Sequence, residues 1–131
     1  MAYGRRMLGR ISLAFLFAAA ACGGGGSTPS IDAPVSSGNK VMMVDCATNA
    51  ATATVATQNF MFTPMATTIT AGQVVKFVLE SVHDVVPDTT TTSDPGLTVG
   101  FGATACLKFT TAGTFGFKCE PHGFKGSITV N

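Results

Sequence analysis

From Val41 onward no stretch of the chain keeps a helical period. It is a succession of short runs rich in Val, Thr and Phe, each broken by Gly, Pro or Asp. That pattern confines it to β-structure, with candidate strands at 41–46, 52–62, 67–70, 73–79, 82–86, 104–110, 113–119 and 126–130. Ala47–Ala56 has a helical composition, but its Thr and Val residues argue against a helix. Alternation is clearest in two runs. Val75, Phe77 and Leu79 share one face, with Val74, Lys76 and Val78 opposite; Phe115, Phe117 and Cys119 share another, with Thr114, Gly116 and Lys118 outward. Seven to eight short strands in about 91 residues specify an all-β fold, a Greek-key β-sandwich. The gap 87–103, full of Thr, Asp, Pro and Gly, reads as an excursion between the sheets. Phe60, Phe62, Phe77, Phe115 and Phe117 read as core.

The segment ahead of this domain has a different composition. Residues 1–22 carry Arg5, Arg6 and Arg10, then the apolar run Ile11–Ala21, which reads as a secretion segment. The run falls short of the roughly 20 apolar residues that span a bilayer. Ala19-Ala20-Ala21-Cys22-Gly23 resembles the lipobox of bacterial lipoproteins, in which the Cys is lipidated. The alternative is plain cleavage that leaves Cys22 as an odd thiol. Residues 23–40, Gly-, Ser- and Pro-rich, read as a flexible linker, leaving 41–131 as the folded domain. The expected location is exported and periplasmic, with membrane attachment through Cys22. Three of the eight basic residues lie in the leader, so the remainder carries 5 Lys against 7 acids. With no basic run, a nucleic-acid partner is excluded.

The chemistry concentrates in Gly113–Val130, GTFGFKCEPHGFKGSITV. Cys119-Glu120-Pro121-His122 places a thiolate and an imidazole on a tight loop just past a buried strand, and Pro121 stiffens the turn. The only other histidine is His83, inside the strand-like run 81–86. Two histidines and one cysteine are a His₂Cys donor set, which suits copper cycling between Cu(I) and Cu(II). An open zinc site and a metal-free sandwich are the alternatives. Hydrolytic catalysis finds no support: there is no Ser-His-Asp arrangement, no paired carboxylates at useful spacing and no phosphate-binding Gly motif.

Residues 57–130 resemble the cupredoxin family of blue-copper proteins, which includes plastocyanin, pseudoazurin and amicyanin. The resemblance rests on Phe60-x-Phe62-x-Pro64, on Ile69-x-x-Gly72-x-x-Val75-x-Phe77, on His83-Asp84-Val85 and on Phe115-x-Phe117-x-Cys119-x-Pro121-His122. It implies a single type 1 copper ion held by His83, Cys119 and His122, in a monomeric one-electron carrier that serves redox protein partners and is not an enzyme. A copper-delivery protein and a metal-free interaction module are the rival readings. Two departures stand out. The family supplies an axial Met a few residues after the second His, but Lys125 and Ser127 stand at those places, and Met42, Met43, Met61 and Met65 lie upstream. The expected site is three-coordinate, or has a backbone carbonyl such as that of Val82 nearby, with a raised reduction potential. Asp84 stands where relatives often carry an Asn that bridges the ligand loops. In an exported protein the two remaining cysteines, Cys46 and Cys106, read as a disulfide. Pro121, Gly123 and Phe124, with Phe101, are candidates for an apolar docking rim around His122.

Overall fold

The computed structural model describes residues 38–91 and 94–131; the expected secretion segment, Cys22 and the expected linker as far as residue 37 lie outside them. The described chain forms nine strands: β1 Val41–Val44, β2 Ala53–Gln58, β3 Met61–Thr63, β4 Ala66–Ile69, β5 Val74–Val78, β6 Val86–Pro87, β7 Thr104–Phe109, β8 Gly113–Lys118 and β9 Lys125–Val130. They build one sheet in the order β1-β7-β5-β2-β3 and a second in the order β4-β9-β8-β6. β2 pairs with β5 and β4 with β9 in parallel, and the remaining pairs are antiparallel. This is the expected all-β sandwich, and no helix occurs among the described residues.

The strand count rises by one because the run 52–62 is two strands. Asn59 and Phe60 both take positive φ, 50° and 58°, and form a two-residue hairpin between the paired Gln58 and Met61. Asn tolerates that left-handed conformation, whereas a bulky aromatic seldom adopts it. The turn puts Phe60 outside the core: its side chain is 61% exposed, which corrects its expected burial. The run 82–86 is not a strand. Ser81 and Val82 turn, Val85 makes a single bridge to Val99, and regular pairing begins only at Val86.

The two alternating runs behave as the period of two requires. Val75, Phe77, Leu79, Phe115, Phe117 and Cys119 are all buried between the sheets, with Phe62, Leu107, Phe109 and Ile128. Burying one Phe of this kind contributes up to about 3 kcal/mol. The outward face of β8 is not bare, because Thr91 from the 87–103 excursion lies directly against Gly116, where any Cβ would collide. Cys46 is joined to Cys106 as expected, pinning the segment after β1 to β7. Lys40, read as the last linker residue, already belongs to the fold. Its N–H donates to Asp94 Oδ2 at 2.7 Å, and its carbonyl accepts from the Thr110 N–H.

Strand direction sorts the loops. The β2–β3 hairpin, the segment after β5, the segment before β7 and the loop after β8 gather at one end of the sandwich. Lys40, Gly72, Thr110 and Asn131 lie at the other.

Candidate metal centre

Three loops bring the donors together. β5 delivers the chain into Leu79–Asp84, where the His83 N–H donates to the Glu80 carbonyl at 3.0 Å and closes a turn. The His83 carbonyl in turn accepts from Gly102 at 3.1 Å, and the Glu80 N–H donates to the buried Thr57 hydroxyl at 2.7 Å. His83 is thus held from both sides and is 1% exposed. β8 delivers Cys119, fully buried by the parity of its strand. The loop beyond it is closed by Gly123 N–H to the Cys119 carbonyl at 2.8 Å and by Cys119 N–H to the Phe124 carbonyl at 3.0 Å. Gly123 sits at φ 73°, a conformation glycine adopts without a steric penalty, and this swings exposed His122 back over the cysteine.

The three expected site residues converge. His83 Nδ1 lies 3.2 Å from His122 Nδ1, and Cys119 Sγ lies 3.7 Å and 3.4 Å from these two nitrogens. Among the described residues they are the one group of His, Cys, Asp and Glu side chains spaced to hold a metal ion. A triangle with those sides has a circumradius of about 2.0 Å, close to the ~2.0–2.3 Å typical of zinc bonds to imidazole and thiolate. The donor set therefore fits a first-row transition ion, and its mix of soft thiolate and imidazole fits copper.

Second-layer groups orient these donors. Glu80 Oε2 lies 3.4 Å from His83 Nε2, on the ring edge away from the cysteine. Asp84, 4% exposed, accepts the Glu120 N–H at 2.8 Å through Oδ1 and so links the two ligand loops. Burial pushes the Cys119 thiol above its ordinary pKa. Backbone hydrogen bonds at Asp84 and His122 oppose that rise, and the Asp84 carboxylate reinforces it. A metal binding here would have to displace the thiol proton.

Aromatic rings enclose the histidines. Phe60 meets both edge-on, with centroids 5.3 Å from His83 and 5.0 Å from His122. Phe124 is half-buried: it stacks on His122 at 6.3 Å, meets His83 edge-on at 5.1 Å and packs on Phe62. Pro121 and Gly123 are exposed, and Phe101 is 60% exposed. Lys125 turns away from the donors: its Nζ lies 2.8 Å from Asp88 Oδ2 and 3.3 Å from Thr90 Oγ1. The roles of Phe60, Glu80 and Asp88 escaped sequence reasoning. Asn59 before Phe60 was the one local signal of a left-handed turn.

A family model described as copper-binding proteins of the plastocyanin/azurin family matches residues 48–131. No curated protein matches the chain. Among solved structures, amicyanin from Paracoccus versutus (Thiobacillus versutus) is 23% identical, covering 71% of this chain and 99% of its own at a TM-score of 0.55. A reduced amicyanin variant with Trp replaced by Tyr is 20% identical, covering 71% of this chain and 100% of its own at a TM-score of 0.58. An oxidised amicyanin variant with Met replaced by Lys gives 20%, the same coverage and 0.56. At these identities the likeness to solved structures establishes the fold.

Proposed function

Because this chain belongs to the copper-binding plastocyanin/azurin family, we propose that it is a type 1 copper protein carrying single electrons between larger redox proteins. One ion is held by His83 Nδ1, Cys119 Sγ and His122 Nδ1. The observation that carries this reading is the convergence of those three atoms to within 3.7 Å of one another. Bound there, copper supplies a one-electron couple between Cu(II) and Cu(I).

The protein's own part is to hold the donors still. Buried Cys119 and His83 keep water from two sides, and the Asp84 bridge with the turn hydrogen bonds resists any change of geometry. Exposed His122 is the port through which the electron leaves and arrives. With Lys125 drawn to Asp88, no thioether stands in the family's axial place, which favours Cu(I) and a raised potential.

Residues 40–131 form the copper domain of this reading, and the chain acts as a monomer. Residues 1–22 direct export, Cys22 takes a lipid, and the linker from 23 up to Lys40 tethers the domain to a periplasmic membrane surface. X-ray absorption at the copper edge tests the ligand set. Two nitrogens and one short sulfur are expected, and a shell without sulfur would contradict it.

A further inference from the structure

The five strands of the first sheet carry two charged residues, Lys76 and Lys108, and no Asp or Glu. Ala105, Leu107 and Phe109 of β7, with Val75 and Phe77 of β5, belong to the core. By strand parity Cys106, Lys108 and Lys76 therefore share the outer face. Lys76 is paired directly with Cys106 across β5 and β7, a position that sets Cβ atoms about 5 Å apart. Lys108 follows two places along β7 on the same face. Both lysines are half-buried, and among the described residues neither enters an ion pair.

The two sulfurs of the Cys46–Cys106 bond consequently have unequal surroundings. Cys106 is 1% exposed and lies beside the two ammonium groups, whereas Cys46 is exposed. Next to Cys46 in the chain stands a carboxylate, Asp45, whose Oδ1 accepts the Ala47 N–H at 2.8 Å. A thiolate attacks whichever disulfide sulfur it can reach, and the bond breaks faster when the departing thiolate is stabilised. Access selects Cys46 as the sulfur attacked. Charge selects Cys106 as the one that departs, because Lys76 and Lys108 favour a thiolate there while Asp45 disfavours one at Cys46.

We propose that Cys46–Cys106 is an exchange site for an external dithiol–disulfide oxidoreductase, with Cys46 the sulfur it contacts and Cys106 the internal thiolate. In opening, a thiolate of the reduced partner forms a sulfur–sulfur bond to Cys46 as the Cys46–Cys106 bond breaks. The electron pair passes to Cys106 Sγ. The partner's second thiolate then attacks its own sulfur in the mixed disulfide and expels Cys46, which takes a proton from water. The partner leaves as a disulfide and the chain as a dithiol. Closing runs the same steps backward with an oxidised partner: Cys106 attacks Cys46 and expels the partner's thiolate. This polarity closes the correct pair and keeps Cys119, buried on the other side of the sheet, as the free cysteine among the described residues. The exchange does not depend on the carrier reading above.

The test uses the full, folded, copper-free chain. Excess reduced glutathione is added, the reaction is quenched with acid, and the adduct is located by peptide mass mapping. Glutathione is expected on Cys46, with Cys106 as the free thiol and Cys119 unmodified. Opening by excess dithiothreitol is then followed in wild type and Lys76 variants whose melting curves match it. Lys76→Gln should open several-fold more slowly and Lys76→Arg at close to the wild-type rate. The wild-type rate should rise in proportion to the thiol concentration, as attack on the folded chain requires. Glutathione on Cys106, equal rates in wild type and Lys76→Gln, or a rate that levels off at that of global unfolding would overturn the proposal. No copper enters the experiment, so its outcome stands apart from any failure of the copper site.

Discussion

Asp84 Oδ1 accepts the Glu120 N–H at 2.8 Å, so the loop that carries His83 is fastened to the loop that carries Cys119 by one buried carboxylate. An amide can accept the same hydrogen bond. Asp84→Asn is therefore expected to fold and bind metal with the wild-type stoichiometry. Removing the charge also removes part of what raises the Cys119 thiol, so its pKa in the copper-free protein should fall. Thiolate absorbance in a pH titration reads this directly. Asp84→Ala leaves the Glu120 N–H without its partner and should cost about 1–3 kcal/mol in a denaturant titration.

Asp88 links the excursion to the strand that follows the ligand loop. Its bonds with Lys125 and Thr90 hold its pKa near 2, below the ordinary 3.8. A carboxyl depressed in the folded state stabilises the fold above its unfolded pKa, and that stability is lost as pH falls through the folded value. Wild type should therefore exceed Asp88→Asn in thermal stability at pH 7, with the gap closing between about pH 4 and pH 2. A gap that is constant across that range would contradict the assignment.

Lys125 stands where the resemblance leads one to expect an axial Met, but it spends its ammonium on Asp88. Lys125→Ala is thus expected to leave the copper spectrum and potential as they are. Lys125→Met offers a thioether at the same place and should lower the potential relative to the Ala variant. Voltammetry of the two variants side by side decides this, and equal potentials would mean that position 125 keeps its outward direction whatever its side chain.

The Cys46–Cys106 bond closes a loop with a separation of 60 residues. Replacing both cysteines with Ala is expected to cost roughly 4 kcal/mol of stability on the chain-entropy model. The copper spectrum should survive wherever the double variant remains folded, because neither sulfur belongs to the metal centre.

Much of this was legible in the residues themselves. Period-two alternation placed Phe77, Phe115, Phe117 and Cys119 correctly, because a strand allows only two faces. The three donors were identifiable because a His₂Cys set is scarce and its spacing specific. Elsewhere the sequence was less informative. The β-branched run Val82–Val86 looked like a strand, yet hydrogen bonds from Gly102 and to Glu80 bend it into the turn that holds His83. Phe60 looked like core because hydrophobicity says nothing about backbone conformation, and two successive left-handed residues turned it outward. The destination of Lys125 depended on Asp88, 37 positions earlier, a pairing with no local sign.

The central claim is that His83, Cys119 and His122 form a type 1 copper site. It is tested most directly by adding Cu(II) to the purified chain and recording visible and electron paramagnetic resonance spectra of wild type and Cys119→Ser. An intense thiolate-to-copper charge-transfer band with one copper per chain, abolished in the variant, is the result this account predicts. A colourless wild type, or a band that survives loss of the Cys119 sulfur, would contradict it.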